Sequence, residues 1–165
     1  MDKLYQYLSP FIAAVLASYI THMLMIRSKK FDVLFQERIP ACKAILKRLV
    51  SIKRYCLAGL AEYSGSEFSP RLEDLPEHDQ GSALTHRTDL SFLAEENQIF
   101  LSKSSRRALI ELDAQLGCLC NVELQFAGSQ PHADATSLAE DTYDMAVTAI
   151  DKCIHRLYND LKLPR

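Results

Sequence analysis

The sequence predicts an all-α protein, with an N-terminal transmembrane helix followed by a cytoplasmic antiparallel helical bundle. Three observations carry that expectation. Residues 4–26 contain no Asp, Glu, Lys or Arg. Beyond them, apolar residues recur at spacings of three and four, the period of one helix face. No segment sustains the alternation of a half-buried strand, and no internal repeat is present.

At about 1.5 Å of rise per residue, a helix over 4–26 reaches roughly 34 Å, enough for a hydrocarbon core of about 30 Å. Tyr5 and Tyr7 suit the outer interface, and Pro10 lies in the first turns, where a lost hydrogen bond costs little. His22 is the one histidine of the stretch, and it sits close enough to the inner end to snorkel. Ala13 and Ala17, and likewise Ala14 and Ser18, stand four apart. Together they form a small-residue face on which a second helix could pack closely in lipid, although such residues are also common in spans. Arg27, Lys29 and Lys30 follow at once and suit contact with the lipid surface, whereas Asp2 and Lys3 cancel. The positive-inside rule then gives a single pass of the inner (plasma) membrane, N-out and C-in. The competing readings are a cleaved signal peptide and a buried helix of a soluble protein. The first wants a shorter apolar core and a small-x-small site, which Met23-Leu24-Met25-Ile26-Arg27 does not offer.

Charge is laid out in blocks. Residues 27–54 hold nine basic groups against two acidic, a net of +7; residues 55–101 hold two against nine, −7; residues 102–165 hold seven against nine, −2. A basic juxtamembrane block favours an anionic leaflet by about 1 kcal/mol per residue near the surface. The acidic middle should lie away from lipid or against the basic helix. The body is not basic as a whole and has no aromatic platform, so no binding of duplex nucleic acid is expected.

The elements follow in order, with 1–30 as the anchor and 31–165 as the cytoplasmic domain. Phe31, Leu34, Phe35 and Ile39 extend the first helical stripe to Pro40, which should kink or end it. Cys42, Ile45, Leu46, Leu49, Ile52, Cys56 and Leu60 mark an amphipathic helix from Ala41 that ends near Tyr63 or Gly65. Prolines and glycines make 64–82 a loop, continuing to about residue 87, before a short helix over Thr88–Asn97 capped by Thr88 or Asp89. Ser102 should cap a helix carrying Leu109, Leu112, Leu116, Leu119, Val122 and Phe126, stopped by Gly128. Ser129 and Pro131 open the last helix, with Leu138, Met145, Ala149, Ile150, Cys153, Leu157 and Leu161 on its apolar face and Pro164 at its end. The short break at 128–131 implies an antiparallel hairpin.

The motif search yields little chemistry. Five cysteines, at intervals that match no disulfide framework, should be reduced and packed as small apolar residues. Cys118 and Cys120 point apart on a helix, and His78, His86, His132 and His155 fit no ligand spacing, so neither metal nor cofactor is expected. Carboxylate pairs such as Glu140 with Asp144 suit solvated helix faces. With no phosphate loop and no nucleophile elbow, no catalytic residue is assigned and the chain is not expected to be an enzyme. One candidate site remains, Ser102, Lys103, Arg106 and Arg107, which brings hydroxyl and positive groups to a helix start where free N–H groups already attract anions. Pairing with the acidic block is the plainer use of these cations.

The layout of short span, basic juxtamembrane helix and small helical domain resembles the small membrane effectors of bacterial antiphage defence, including those gated by cyclic oligonucleotides. The resemblance lies in layout over the whole chain and in no motif. It implies that 4–26 is the membrane-active part, that Ala13, Ala14, Ala17 and Ser18 pack spans in a homo-oligomer, and that 102–107 contacts a nucleotide signal or a protein partner. The alternative is a membrane-tethered adaptor that only holds a partner at the bilayer.

Overall fold

The structure, a computed structural model, describes the backbone of residues 2–65, 71–126 and 133–161; the side chains of 2–12, 30, 31, 33–35 and 133–135 are outside that description. The described residues form four α-helices, α1 (Asp2–Ser64), α2 (Ala83–Glu96), α3 (Lys103–Phe126) and α4 (Ala133–Leu161). Three 3-10 turns, Leu72–Asp74, Glu77–Asp79 and Gln98–Phe100, lie between them. No strand occurs among the described residues, and the all-α expectation holds. The chain divides into two units, Met1–Arg38 and Ile39–Arg165.

In the first unit, side chains 13–29 are all exposed. They include Val15, Leu16, Tyr19, Ile20, Met23 and Leu24, each more than half open. The Thr21 hydroxyl donates to the Ala17 carbonyl at 2.8 Å, so the helix satisfies its own polar side chain. Among the described residues no helix is long and apolar enough to cross a membrane. The expected span starts at Leu4, and the side chains of 4–12, with Tyr5, Tyr7 and Pro10, lie outside the described residues, as does that of Lys30.

The expected stop at Pro40 does not occur, and α1 runs through it to Ser64. Pro40 is exposed, which leaves water to satisfy the carbonyl one turn earlier. Gly65, at φ +67°, then supplies the left-handed residue that ends the helix. The Ile39–Arg165 unit is a helical bundle whose core takes Cys42, Ile45, Leu49, Ile52 and Cys56 from α1. Leu109, Leu112, Leu116 and Leu119 come from α3, and Ala146, Ile150, Cys153 and Leu157 from α4.

One boundary and one face here differ from the sequence reading. The loop drawn to residue 87 ends at Ser82, whose hydroxyl accepts from the Thr85 N–H at 3.3 Å; Ser82, not Thr88 or Asp89, caps α2. Thr88 instead returns its hydroxyl to the Leu84 carbonyl. The 3-10 turns shorten the loop further and bury Leu75 and Asp79. On α4, Leu138 and Met145 are exposed while Ala139, Tyr143 and Ala146 are buried. Small residues lie on the core face because Tyr143 must pass between neighbouring helices. The break at Gly128, Ser129 and Pro131 and the stop at Pro164 lie outside the described residues.

Gly59 explains how Tyr143 fits. A Cβ placed there would meet Tyr143 Cε1 at 2.4 Å, closer than any real contact. Tyr143 is also stacked on Tyr63 with centroids 5.7 Å apart. Ala in mid-helix gains roughly 1 kcal/mol of propensity over Gly, while overpacking costs about 1–3 kcal/mol or more, and a clash against a ring held on both sides puts the balance on the losing side. Gly59→Ala should therefore lower the urea midpoint in the wild-type background, and should lower it much less when introduced into a Tyr143→Leu background. All five cysteines are free and only Cys118 is exposed. A thiol reagent should label one cysteine quickly in the native protein and the other four only on unfolding.

Candidate functional site

At the start of α3 the expected anion site is already furnished from within the chain. Ser102 Oγ accepts from the Ser105 N–H at 3.1 Å, a regular N-cap. The Asp160 carboxylate of α4 accepts from the Ser102 N–H at 3.3 Å and from the Ser105 hydroxyl at 2.6 Å. Donors that would greet a ligand thus hold a resident carboxylate, in the place where the helix dipole favours one.

The four residues expected there part company. Lys103 and Arg107 line a groove of about 390 Å³ together with Ser104, Glu111, Lys152 and Arg156. Arg106 lines a different cavity, with Leu109, Ile110 and Asp113. In the groove Arg156 donates to Ser104 Oγ at 3.1 Å. Glu111 receives both Lys152 and Arg107, and the Lys152 ammonium holds its carboxyl below the usual carboxylate range. Arg107 pairs within its own helix, and among the described residues it has no ion pair with the 55–101 block. Sequence reasoning missed Lys152 and Arg156. Their i,i+4 spacing was visible, but facing them to Lys103 and Arg107 requires the register of α4 on α3. In the first unit, Ala13, Ala14, Ala17 and Ser18 are exposed, as are Arg27 and Lys29.

A second polar cluster, not singled out from sequence, surrounds Asp79, whose side chain is 0% exposed. The Ser51 hydroxyl donates to Asp79 Oδ1, His78 Nε2 lies 3.3 Å from the same oxygen, and Arg54 Nη1 stands 3.6 Å from Oδ2. His86, fully buried, places Nε2 3.2 Å from the Asp79 carbonyl and its ring 4.6 Å from that of Tyr55. Burial, and then the Arg48 charge, pushes the His86 imidazole below its ordinary pKa, which favours the neutral ring. A carbonyl only accepts, so Nε2 carries the hydrogen and Nδ1 keeps a free lone pair. Among the described residues neither His86 Nδ1 nor Asp79 Oδ2 has a hydrogen-bond partner. Because Ser51 donates to a carboxylate and not to an imidazole, the group is not ordered as nucleophile, base and orienting acid. Its chemistry is that of a polar binding surface, opening on a cavity of about 630 Å³.

The acidic and basic blocks meet here. Arg48 pairs with Asp89 at 2.6 Å and Arg54 with Asp79, so part of the −7 segment is laid on the +7 helix, as one of the two expected arrangements has it.

Nearby, Glu123 of α3 gathers three donors. The Tyr55 hydroxyl donates to Oε1, as does that of Tyr143 at 3.0 Å, and the Ala83 N–H at the start of α2 donates to Oε2 at 3.0 Å. Burial, with Glu123 adding to it, raises the Tyr55 phenol far above its ordinary value; Tyr143 is raised in the same way, by burial first. Burial also pushes the Cys56 and Cys153 thiols up to about 12.

Glu123→Ala should cost about 3 kcal/mol or more in urea unfolding, because it strands two buried phenols and a helix-start N–H; Glu123→Gln, which keeps one acceptor oxygen, should cost less. The raised thiols and phenols are held neutral by folding, so their contribution is complete below the ordinary values of 9.0 and 10.0 and is lost as pH climbs through the folded ones. Unfolding free energy should hold level from neutrality to about pH 8.5 and fall from there into the alkaline range.

A comparison with protein families, with curated proteins and with solved structures finds no match for this chain.

Proposed function

We propose that the protein is a bacterial inner-membrane effector, anchored by residues 4–26 in a single N-out, C-in pass. Its cytoplasmic helical bundle receives a signal or a partner, and its clustered spans then perturb the bilayer, as in antiphage defence. One observation carries the reading: the N-terminal helix exposes apolar side chains all round, from Val15 to Ile26, with no charge among them. A helix apolar on every side belongs in a large core or in lipid. The bond from Thr21 to Ala17 leaves that hydroxyl paired within the helix, as a span in lipid requires, though the bundle makes the same bond at Thr88. Perturbation by a single span requires an oligomer, and Ala13, Ala14, Ala17 and Ser18 provide the close-packing face. No reaction is assigned to the body.

A membrane-tethered adaptor is the second reading, favoured by exposed apolar residues on the bundle. Phe92 is 63% open, Ile99 83% and Ile110 71%, apolar side chains that a partner would cover.

The intact protein should sediment with membranes, resist carbonate extraction and dissolve in detergent, and Leu16→Lys with Ile20→Lys should move it to the supernatant. Recovery of wild type in the supernatant of a detergent-free lysate would remove both readings. Replacing 1–30 by an unrelated monomeric span separates them: loss of membrane damage in a dye-permeability assay supports the effector, and an undiminished response supports the adaptor.

A further inference from the structure

We infer that the open groove between the start of α3 and the C-terminal half of α4 binds a compact anion of two linked phosphoryl groups, through Lys103, Arg107, Lys152 and Arg156. The site goes beyond the membrane reading above and draws on no residue of the first unit. α3 and α4 run antiparallel, so successive turns set Lys152 on Glu111 and Arg156 on Ser104. Two cations from each helix thereby line one groove of about 390 Å³ whose one carboxylate is Glu111, a net of +3. Arg107 is 85% exposed and Lys152 53%, and Lys103 and Arg156 are exposed as well, so all four are open to an arriving anion.

Stability does not account for this arrangement. Lys103 and Arg107 stand four apart on their helix, as do Lys152 and Arg156, and like charges at that spacing are destabilising. Lys103 also lies in the first turn of α3, where the helix dipole disfavours a cation. Glu111 answers Arg107 and Lys152 together, while Lys103 and Arg156 have no ion pair among the described residues. Arg156 instead donates to Ser104 Oγ, which leaves the Ser104 hydroxyl hydrogen to donate to a ligand. The Ser102 N–H and the Ser105 hydroxyl are held by Asp160 and stay outside the site.

The charge and the lining select the ligand. One phosphoryl group carries about −1.5 to −2 at neutrality, which leaves the +3 of the groove partly unanswered, whereas two linked groups match it. Each phosphoryl group presents three oxygens around a tetrahedron, so both walls of the groove reach it at once, while a carboxylate offers two oxygens in one plane. Ala108 is the one apolar residue of the lining, so the groove reads the anion and neither a ring nor a chain attached to it. In this arrangement one phosphoryl group rests between Lys103, Arg156 and the Ser104 hydroxyl, and the other draws Arg107 and Lys152 from Glu111.

Titration calorimetry on the full chain in a non-ionic detergent tests this with pyrophosphate, orthophosphate and citrate, in magnesium-free buffer at about 50 mM salt, where exposed charges are weakly screened. Pyrophosphate should bind with a Kd below about 1 mM and about tenfold more tightly than either orthophosphate or citrate. Lys103→Gln and Arg156→Gln should each weaken it about tenfold, and Lys47→Gln, on α1, should leave it unchanged. Glu111→Gln, which removes the resident counter-charge, should tighten binding about threefold or more. No binding by about 1 mM pyrophosphate, equal binding of citrate or orthophosphate, an equal loss in Lys47→Gln, or weaker binding in Glu111→Gln overturns the assignment.

Discussion

The bundle depends on one carboxylate. Glu123 stands on α3 and is reached by Tyr55 from α1, by Tyr143 from α4 and by the first N–H of α2. A single side chain thereby fixes the register of four helices, a task that apolar contacts, being non-directional, perform loosely. The surrounding pieces follow from it. Tyr143 can deliver its hydroxyl only by crossing α1 where there is no Cβ, at Gly59, and its ring is then held by Tyr63, itself 5.6 Å from Phe126. The small residues Ala139 and Ala146 are buried on the same face of α4 as Tyr143.

Asp79 shows a different balance. Its carboxylate is as deeply buried as the leucines of the core, yet it is only partly satisfied, by Ser51, His78 and a distant Arg54. Replacing such a group with an apolar residue is often neutral or stabilising for a fold, so its retention is not explained by stability. The charge blocks offer a partial account. A helix carrying nine basic groups between residues 27 and 54 needs counter-charge, and the short turns before α2 bring Asp79 and Asp89 to Arg54 and Arg48.

Much of this was legible along the chain, and the misses share a cause. The core faces of α1 and α3 follow from spacing alone because large apolar residues sit there and cations sit opposite. The cap at Ser102 was readable from its place before a periodic run, and the end of α1 from Gly65. The N-terminal half of α4 was misread because Leu138 and Met145 outweigh Ala139 and Ala146 in any ranking by hydrophobicity, whereas the real face is chosen by a polar contact between Tyr143 and a residue on another helix. The early start of α2 was hidden in a stretch rich in Pro, Gly and Ser, whose turn chemistry masks a cap. Ser51, Asp79 and His86 converge from three places in the chain, as do Tyr55, Glu123 and Tyr143, and no local pattern announces that. For the anion site the local part was visible, while Lys152 and Arg156 depend on which turn of α4 faces α3.

Asp160 gives the start of α3 an unusual character. It lies near the C-terminal end of α4, 58 positions beyond the serine whose N–H it receives, and it sits where an external phosphate would otherwise settle. The fold thus carries its own competitor: an incoming anion can gain those N–H and O–H donors only by evicting a tenant tethered at high local concentration. Whatever binds the adjoining cations leaves the Ser102 N–H and the Ser105 hydroxyl to Asp160, and a chain shortened before that residue would change the locks.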